Sequence, residues 1–281
     1  MPSPNEITVA QLSRLVGTPE APVVVDVRIA EHLAEDPRSI PGSRLRDHRE
    51  VATWAAALAG RRVVVSCQFG LKLSHGAAAW LRHEGIAAES LEGGFAAWRE
   101  AGALLLDTAK LPPRDARGRT VWVTRARPKI DRIACPWLIR RFCDPDAVFL
   151  FVPASEVLAV ADRFGATAFD VEDVFWSHRG ERCTFDAMIE EFGLSGEPLE
   201  RLAAIVRGAD TSRHDLAPEA AGLLAASLGF SRMYKDDLAQ LEAAMPLYDA
   251  LYRWSRDATE EHHNWPAASA RAAATNEKDR S

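Results

Sequence analysis

Two stretches of the first half, APVVVDVR (21–28) and RRVVVSC (61–67), are apolar at consecutive rather than alternate positions. A short run of that kind reads as a strand covered on both faces, as in a parallel sheet between two layers of helices. Between and after them the spacing turns helical, in EVATWAAALA (50–59), SHGAAAWLRHEG (74–85) and FAAWREAG (95–102). Gly85 and Gly102 close the last two, where a glycine can take the left-handed conformation that ends a helix. ITVAQLSRLV (7–16) reads as a strand entering a helix, and IAAESLEGG (86–94) as a strand and turn. This alternation predicts an α/β domain over residues 1–106, a parallel sheet with helices on both faces.

The segment 107–118, DTAKLPPRDARG, mixes prolines, glycine and charges and reads as a linker. A second domain follows over 119–256. It opens with the strand TVWVTRARP (120–128) and continues with FLFVPASEV (149–157). The pattern then becomes mostly helical, in PLERLAAIVRGAD, LAPEAAGLLAASLGF and DLAQLEAAMPLYDALYRWSRD, so the expected class is a mostly helical α+β domain. Residues 257–281, which include His262 and His263, lack sustained periodicity and read as a disordered tail.

Composition narrows the function classes. The chain has 281 residues, 47% of them hydrophobic, and a net charge of -6, which gives no global case for nucleic acid as a partner. The opening MPSPNEITVAQLSRL has no basic segment before an apolar one, and no run is long enough to span a bilayer. The expectation is a cytoplasmic protein with no membrane partner. Four cysteines, Cys67, Cys135, Cys143 and Cys183, form no CxxC pair and read as free thiols, a nucleophile or metal ligands.

Cys67 stands out among them. It ends a buried strand, and open α/β sheets place ligands at the carboxyl ends of their strands. The residues that follow lead into a helix whose first amides lack partners within the helix, and such amides lower the pKa of a thiol among them. Gly70 lets the loop curl, and Lys72 adds a positive charge.

Four motifs in order over about residues 5–105 resemble the rhodanese (sulfurtransferase) family: VVVDVR with Asp26 and Arg28, SIPGSR, CQFGLK, and LEGGFAAWREAG. The resemblance implies a six-residue active-site loop of Cys67, Gln68, Phe69, Gly70, Leu71 and Lys72. It implies that Cys67 takes a sulfane sulfur and carries it as a persulfide, with the loop amides holding the negative charge. Many members have arginine directly after the cysteine, where this chain has Gln68. That leaves Lys72 as the main local cation and weakens thiosulfate, against a low-molecular-weight persulfide, as the small-molecule donor. Asp26 and Arg28 read as fold-fixing residues.

In the second half, TRARPKIDRIACPWLIRRF is the densest basic stretch, and Asp131 is placed to cap a helix through RIACPWLIRRF with Pro136 near its first turn. Arg125, Arg132, Arg140 and Arg141 are candidates for binding a tetrahedral oxyanion. Downstream, FDVEDVFWSHRGERCTFD offers Asp170, His178, Glu181, Cys183 and Asp186. His178 and Cys183, with a carboxylate such as Asp210, make a candidate divalent-metal set; no other cofactor is indicated.

Over about residues 119–255 this half resembles the carboxyl-terminal domain of the bacterial chromate resistance proteins, in VTRARPKIDRIACPWLIRRFCDPDAVFLFVPASEV, HRGERCTFDAMIEEFGL, IVRGADTSRHDLAPEAAGLLAASLGFS and LYDALYRW. The resemblance implies a link to chromate. Regulator members carry a helical DNA-binding region where this chain has its rhodanese-like domain, which again argues against nucleic acid. Two readings follow. In one, Cys67 transfers sulfur and the second domain binds an oxyanion or a divalent metal. In the other, the protein only binds or senses chromate or metal, and the rhodanese fold is a docking module.

Overall fold

Five strands of the first half, β1 (Glu6–Ile7), β2 (Val23–Asp26), β3 (Arg44–Leu45), β4 (Val63–Ser66) and β5 (Ala88–Leu91), pair in parallel in the order β1-β5-β4-β2-β3. The computed structural model describes residues 5–261. The consecutive valines of β2 and β4 divide between two cores because side chains alternate along a strand. Val23, Val25, Val63 and Val65 share one core with α3 (Val51–Trp54) and α4 (Lys72–His83) through Val51, Ala77, Ala78 and Leu81. Val24 and Val64 belong to the other, with Leu12 of α1 (Val9–Leu15) and Phe95 and Trp98 of α5 (Gly94–Glu100). A short helix, α2 (Ala30–Glu35), follows β2.

The second half builds a smaller parallel sheet from β6 (Val121–Arg125), β7 (Val148–Val152) and β8 (Thr167–Ala168), in the order β7-β6-β8. Its helices are α6 (Ile130–Leu138), α7 (Val157–Phe164), α8 (Thr184–Glu191), α9 (Glu197–Asp210), α10 (Ala220–Met233) and α11 (Asp237–Asp257). Every residue of α6 except Arg132 is buried, and α6 packs against α8, α9 and α11. A helix buried on nearly every side belongs inside a bundle, and α6 is the hub of this one.

Two local expectations for α6 are corrected. The helix begins at Ile130, with Lys129 at its N-cap, so Asp131 lies inside the first turn and does not cap it. Pro136 therefore falls in the helix interior, where it removes a backbone donor. Beyond Leu138 the chain continues as a wider π-type turn over Ile139–Cys143, with the Asp144 amide donating to the Ile139 carbonyl at 2.7 Å.

The larger core runs without a break from α1 and α5 into the second domain. At the seam, the Phe142 ring packs on Gly17 so closely that a Cβ there would sit 2.3 Å from Phe142 Cζ. The Gly42 amide donates to the Phe142 carbonyl at 2.6 Å, and Arg44 pairs with Asp146 at 2.6 Å. The 107–118 segment is itself bound: the Asp107 amide donates to Phe192 O at 2.9 Å and the Thr108 hydroxyl to Pro37 O at 2.7 Å. At the other end, α11 reaches Asp257, and residues 262–281, with His262 and His263, lie outside the described residues. No helix of the described residues is long and apolar enough to cross a membrane.

Candidate functional site

β4 delivers Cys67 to the edge of the sheet and α4 starts at Lys72, so the loop between them is held at both ends. Among the described residues, no N-cap side chain bonds the start of α4. The Cys67 sulfur occupies that place: the backbone amides of Ser74, Leu71 and Phe69 point to it, and the Ser74 hydroxyl lies 3.2 Å away. Burial alone raises the thiol's pKa, since Cys67 is only 4% exposed. The hydrogen bonds from Ser74, Leu71 and Phe69 outweigh that and lower it. The thiol sits where the sheet core ends and the ring of dipoles begins, and it is polarised toward thiolate.

The paired glycines Gly93 and Gly94 support the loop from behind. The Phe95 amide donates to Cys67 O and the Ala96 amide to Gln68 O, both at 2.9 Å. Gly94 has φ +63°, and a Cβ there would lie 2.2 Å from Cys67 O; one on Gly70 would lie 2.5 Å from Leu91 O. Only hydrogen fits at either position. Around the loop, Phe69, Leu71 and Lys72 are exposed, whereas Gln68 is buried and its Oε1 has no partner among the described residues. Arg28 donates to Asp26 at 2.8 Å and to the Asp36 and Arg38 carbonyls, and its guanidinium lies 3.7 Å over the Phe95 ring. That pair ties β2 to the element carrying the glycine support. Ser74 is the loop-facing residue that sequence reasoning missed. Its position three residues into α4, where a capping partner belongs, is the signal that marks it.

A second polar centre lies in the other domain. His178 Nε2 stands 3.2 Å from Asp210 Oδ2, 3.4 Å from Asp131 Oδ2 and 3.5 Å from Asp170 Oδ1. The carboxylates of Asp131, then Asp170 and Asp210, push His178 up to about 12 and favour the protonated ring. Burial lifts the Asp131 carboxyl to about 6 against the pull of His178. Burial also works to raise Asp170, but hydrogen bonds from His178 and Thr184 and the charges of Arg132 and Arg125 outweigh it and hold Asp170 low. Asp131 accepts the Thr184 amide at 2.6 Å and the Phe185 amide at 3.4 Å, so it caps α8, a neighbouring helix rather than its own.

The candidate residues divide here. His178 and Asp210 come together, joined by Asp131 and Asp170, while Cys183 does not join them. Its amide and thiol both donate to Asp186 Oδ2, at 3.0 and 3.3 Å, and burial with the Asp131 and Asp186 charges raises its pKa well above the usual thiol range. A protonated, buried thiol is a poor metal ligand. Glu181 is exposed and pairs with Arg213. The four arginines also separate. Arg125 and Arg132 reach Asp170 Oδ2 at 3.5 and 3.2 Å, beside the His178 centre. Arg140 pairs with Glu242 at 2.5 Å and Arg141 with Asp249 at 2.8 Å, about 12 Å further along the helix and next to the domain seam.

Residues 8–101 match the family model for the rhodanese-like domain, and residues 122–255 match that for the ChrB C-terminal domain. The chain is thus similar to a rhodanese-like domain in its first half and to a ChrB C-terminal domain in its second. Protein ChrB of Cupriavidus metallidurans is 35% identical over 141 residues, covering 50% of this chain and 42% of that protein, so the chain spans less than half the length of this curated relative. Among solved structures, a rhodanese-related protein from Thermoplasma volcanium is 26% identical, with a TM-score of 0.32 over 36% of this chain and 97% of that one. A rhodanese-like domain protein from Staphylococcus aureus is 25% identical, with a TM-score of 0.31 over 34% and 90%. The Cys67 loop lies in the stretch that matches the rhodanese-like domain, and the His178 centre with Arg125 and Arg132 in the stretch that matches the ChrB C-terminal domain.

Proposed function

We propose that this chain is a chromate resistance protein in which Cys67 transfers sulfur as a persulfide, and whose second domain binds an oxyanion such as chromate or a divalent metal around His178. The observation that carries the reading is the convergence of the Phe69, Leu71 and Ser74 amides and the Ser74 hydroxyl on one sulfur.

Those groups stabilise a thiolate for attack. The Cys67 thiolate displaces at the sulfane sulfur of a donor, the donor's sulfur–sulfur bond breaks, and its remainder departs with the electron pair as a thiolate or as sulfite. The new Cys67–S–S⁻ carries its charge on the outer sulfur, toward the amides at the start of α4. An acceptor thiolate then attacks that outer sulfur and restores the Cys67 thiolate, with no net change in oxidation state of the protein. In the second domain the arginine fork suits a tetrahedral dianion, and Arg125 and Arg132 are the pair that stands beside the polar centre.

Intact-mass measurement after incubation with a low-molecular-weight persulfide tests the first half: one added sulfur is expected on the wild type and none on Cys67→Ser. Equal loading of the two proteins would sink the sulfurtransferase reading. Calorimetry with chromate tests the second half. Arg132→Ala is expected to weaken binding about tenfold or more, as for loss of a charged hydrogen bond, while Arg140→Ala leaves it unchanged.

A further inference from the structure

The four side chains of the His178 centre come from four separate places: Asp131 from α6, Asp170 from just after β8, His178 from the loop before α8, and Asp210 from the last residue of α9. Asp131 is 1% exposed. A carboxylate so far from water requires a compensating charge. Asp170 has Arg125 and Arg132. Among the described residues, the one cationic side chain within 4 Å of Asp131 is His178.

An imidazolium fills that role poorly in geometric terms. Nε2 carries a single hydrogen, yet three carboxylate oxygens stand 3.2, 3.4 and 3.5 Å from it. All three are longer than the roughly 2.7–2.9 Å of a charge-assisted N–H···O bond. They match another pattern. Donor atoms about 2.1 Å from a common cation are separated by about 3.0–3.4 Å along the edges of an octahedral or tetrahedral shell. Donor atoms of Asp131, Asp170 and His178 all lie within 4.8 Å of one another, near the roughly 4.2 Å that separates two donors on opposite sides of such an ion.

We propose that Asp131, Asp170, His178 and Asp210 are the ligands of a divalent cation, with neutral His178 supplying its Nε2 and the aspartates their oxygens. The inference rests on the reading that the second domain takes a metal, and deepens it by naming the ligand set and the class of ion. Three oxygen donors to one nitrogen favour a hard-to-borderline ion of the Mn²⁺ type over a thiophilic one. The thiols agree: Cys183 is turned to Asp186, and Cys135 is fully buried within α6. On binding, the ion takes the place of the His178 proton, which is released to water. The cation then neutralises Asp170, and Arg125 and Arg132 are left to face an oxyanion. Cation and oxyanion are therefore expected to strengthen each other's binding reciprocally.

The test uses the full chain, stripped with a chelator and titrated with Mn²⁺ alone, followed by calorimetry and by the paramagnetic resonance signal of free Mn²⁺. One ion per chain is expected. Asp210→Asn and His178→Ala are each expected to weaken binding at least tenfold, with metal-free melting curves showing that the partly exposed Asp210 and His178 sites tolerate the change. Cys183→Ser is expected to bind as the wild type does. Absence of Mn²⁺ binding at millimolar concentration, or affinity unchanged in both Asp210→Asn and His178→Ala, would overturn the proposal. A chromate titration of the metal-free protein is the separate arm: chromate binding without any Mn²⁺ binding retires the metal centre and leaves the anion site standing.

Discussion

The Ser74 hydroxyl lies 3.2 Å from the Cys67 sulfur, and the Ser74 amide points to the same atom. One residue thus supplies two of the dipoles that lower this thiol's pKa, from a position fixed by the first turn of α4.

The pH dependence of Cys67 follows from that pair. A thiol with lowered pKa stays ionised, and so reacts, at lower pH than a free cysteine does. Alkylation of the wild type is expected to show its half-point below that of a free cysteine thiol. Ser74→Ala removes the hydroxyl and is expected to move the half-point upward and slow alkylation near neutral pH. A half-point that Ser74→Ala leaves in place would contradict the assignment.

Gly94→Ala tests the support behind the loop. The added methyl meets Cys67 O and the Gly70 amide at 2.2 and 2.3 Å, and φ +63° is unfavourable for alanine. A loss of at least ~2 kcal/mol in stability is expected from urea unfolding, together with loss of sulfur loading. Gly102→Ala is the comparison: among the described residues nothing lies within 4 Å of its added Cβ, and its strain is that of φ +66° alone. Gly94→Ala is expected to lose more stability than Gly102→Ala, and to be the one of the two that loses sulfur loading.

Phe142 tests whether the two domains share one core. Its ring is fully buried, against Gly17 of the first domain and Trp137 and Tyr252 of the second. Phe142→Ala is expected to cost about 3–5 kcal/mol. A single unfolding transition in the wild type that splits into two in this variant would show the seam as what couples the domains. A cost below ~1 kcal/mol would mean that the seam is not packed as described.

Much of the first domain was legible because its chemistry is local. Consecutive valines can be buried only between two layers, and a cysteine directly after such a strand must emerge at the sheet's carboxyl edge, beside the next helix's amides. The second domain was legible as a set of elements and much less as a site. Asp131 reads from its spacing as the cap of its own helix, and instead caps α8, a partner more than fifty residues away in the chain. Cys183 and His178 are close in sequence and suggest a common ligand pair, but α8 takes the cysteine for its own N-terminus. Arg125, Arg132, Arg140 and Arg141 form one basic stretch, yet Arg125 at the end of β6 and Arg132 on α6 meet Asp170, whereas Arg140 and Arg141, in the turn beyond α6, meet Glu242 and Asp249.

The residue pattern by itself determined the parallel sheet, its two-faced burial and the placement of a thiol at a helix start, since each depends on neighbours within a few residues. Tertiary packing decided which charges meet and how the halves join. The His178 centre assembles from four distant segments, and the seam depends on one ring finding one glycine, Phe142 on Gly17. Those juxtapositions arise from the burial of α6 among its neighbours, an energy spread over the whole core and carried by no local stretch of sequence.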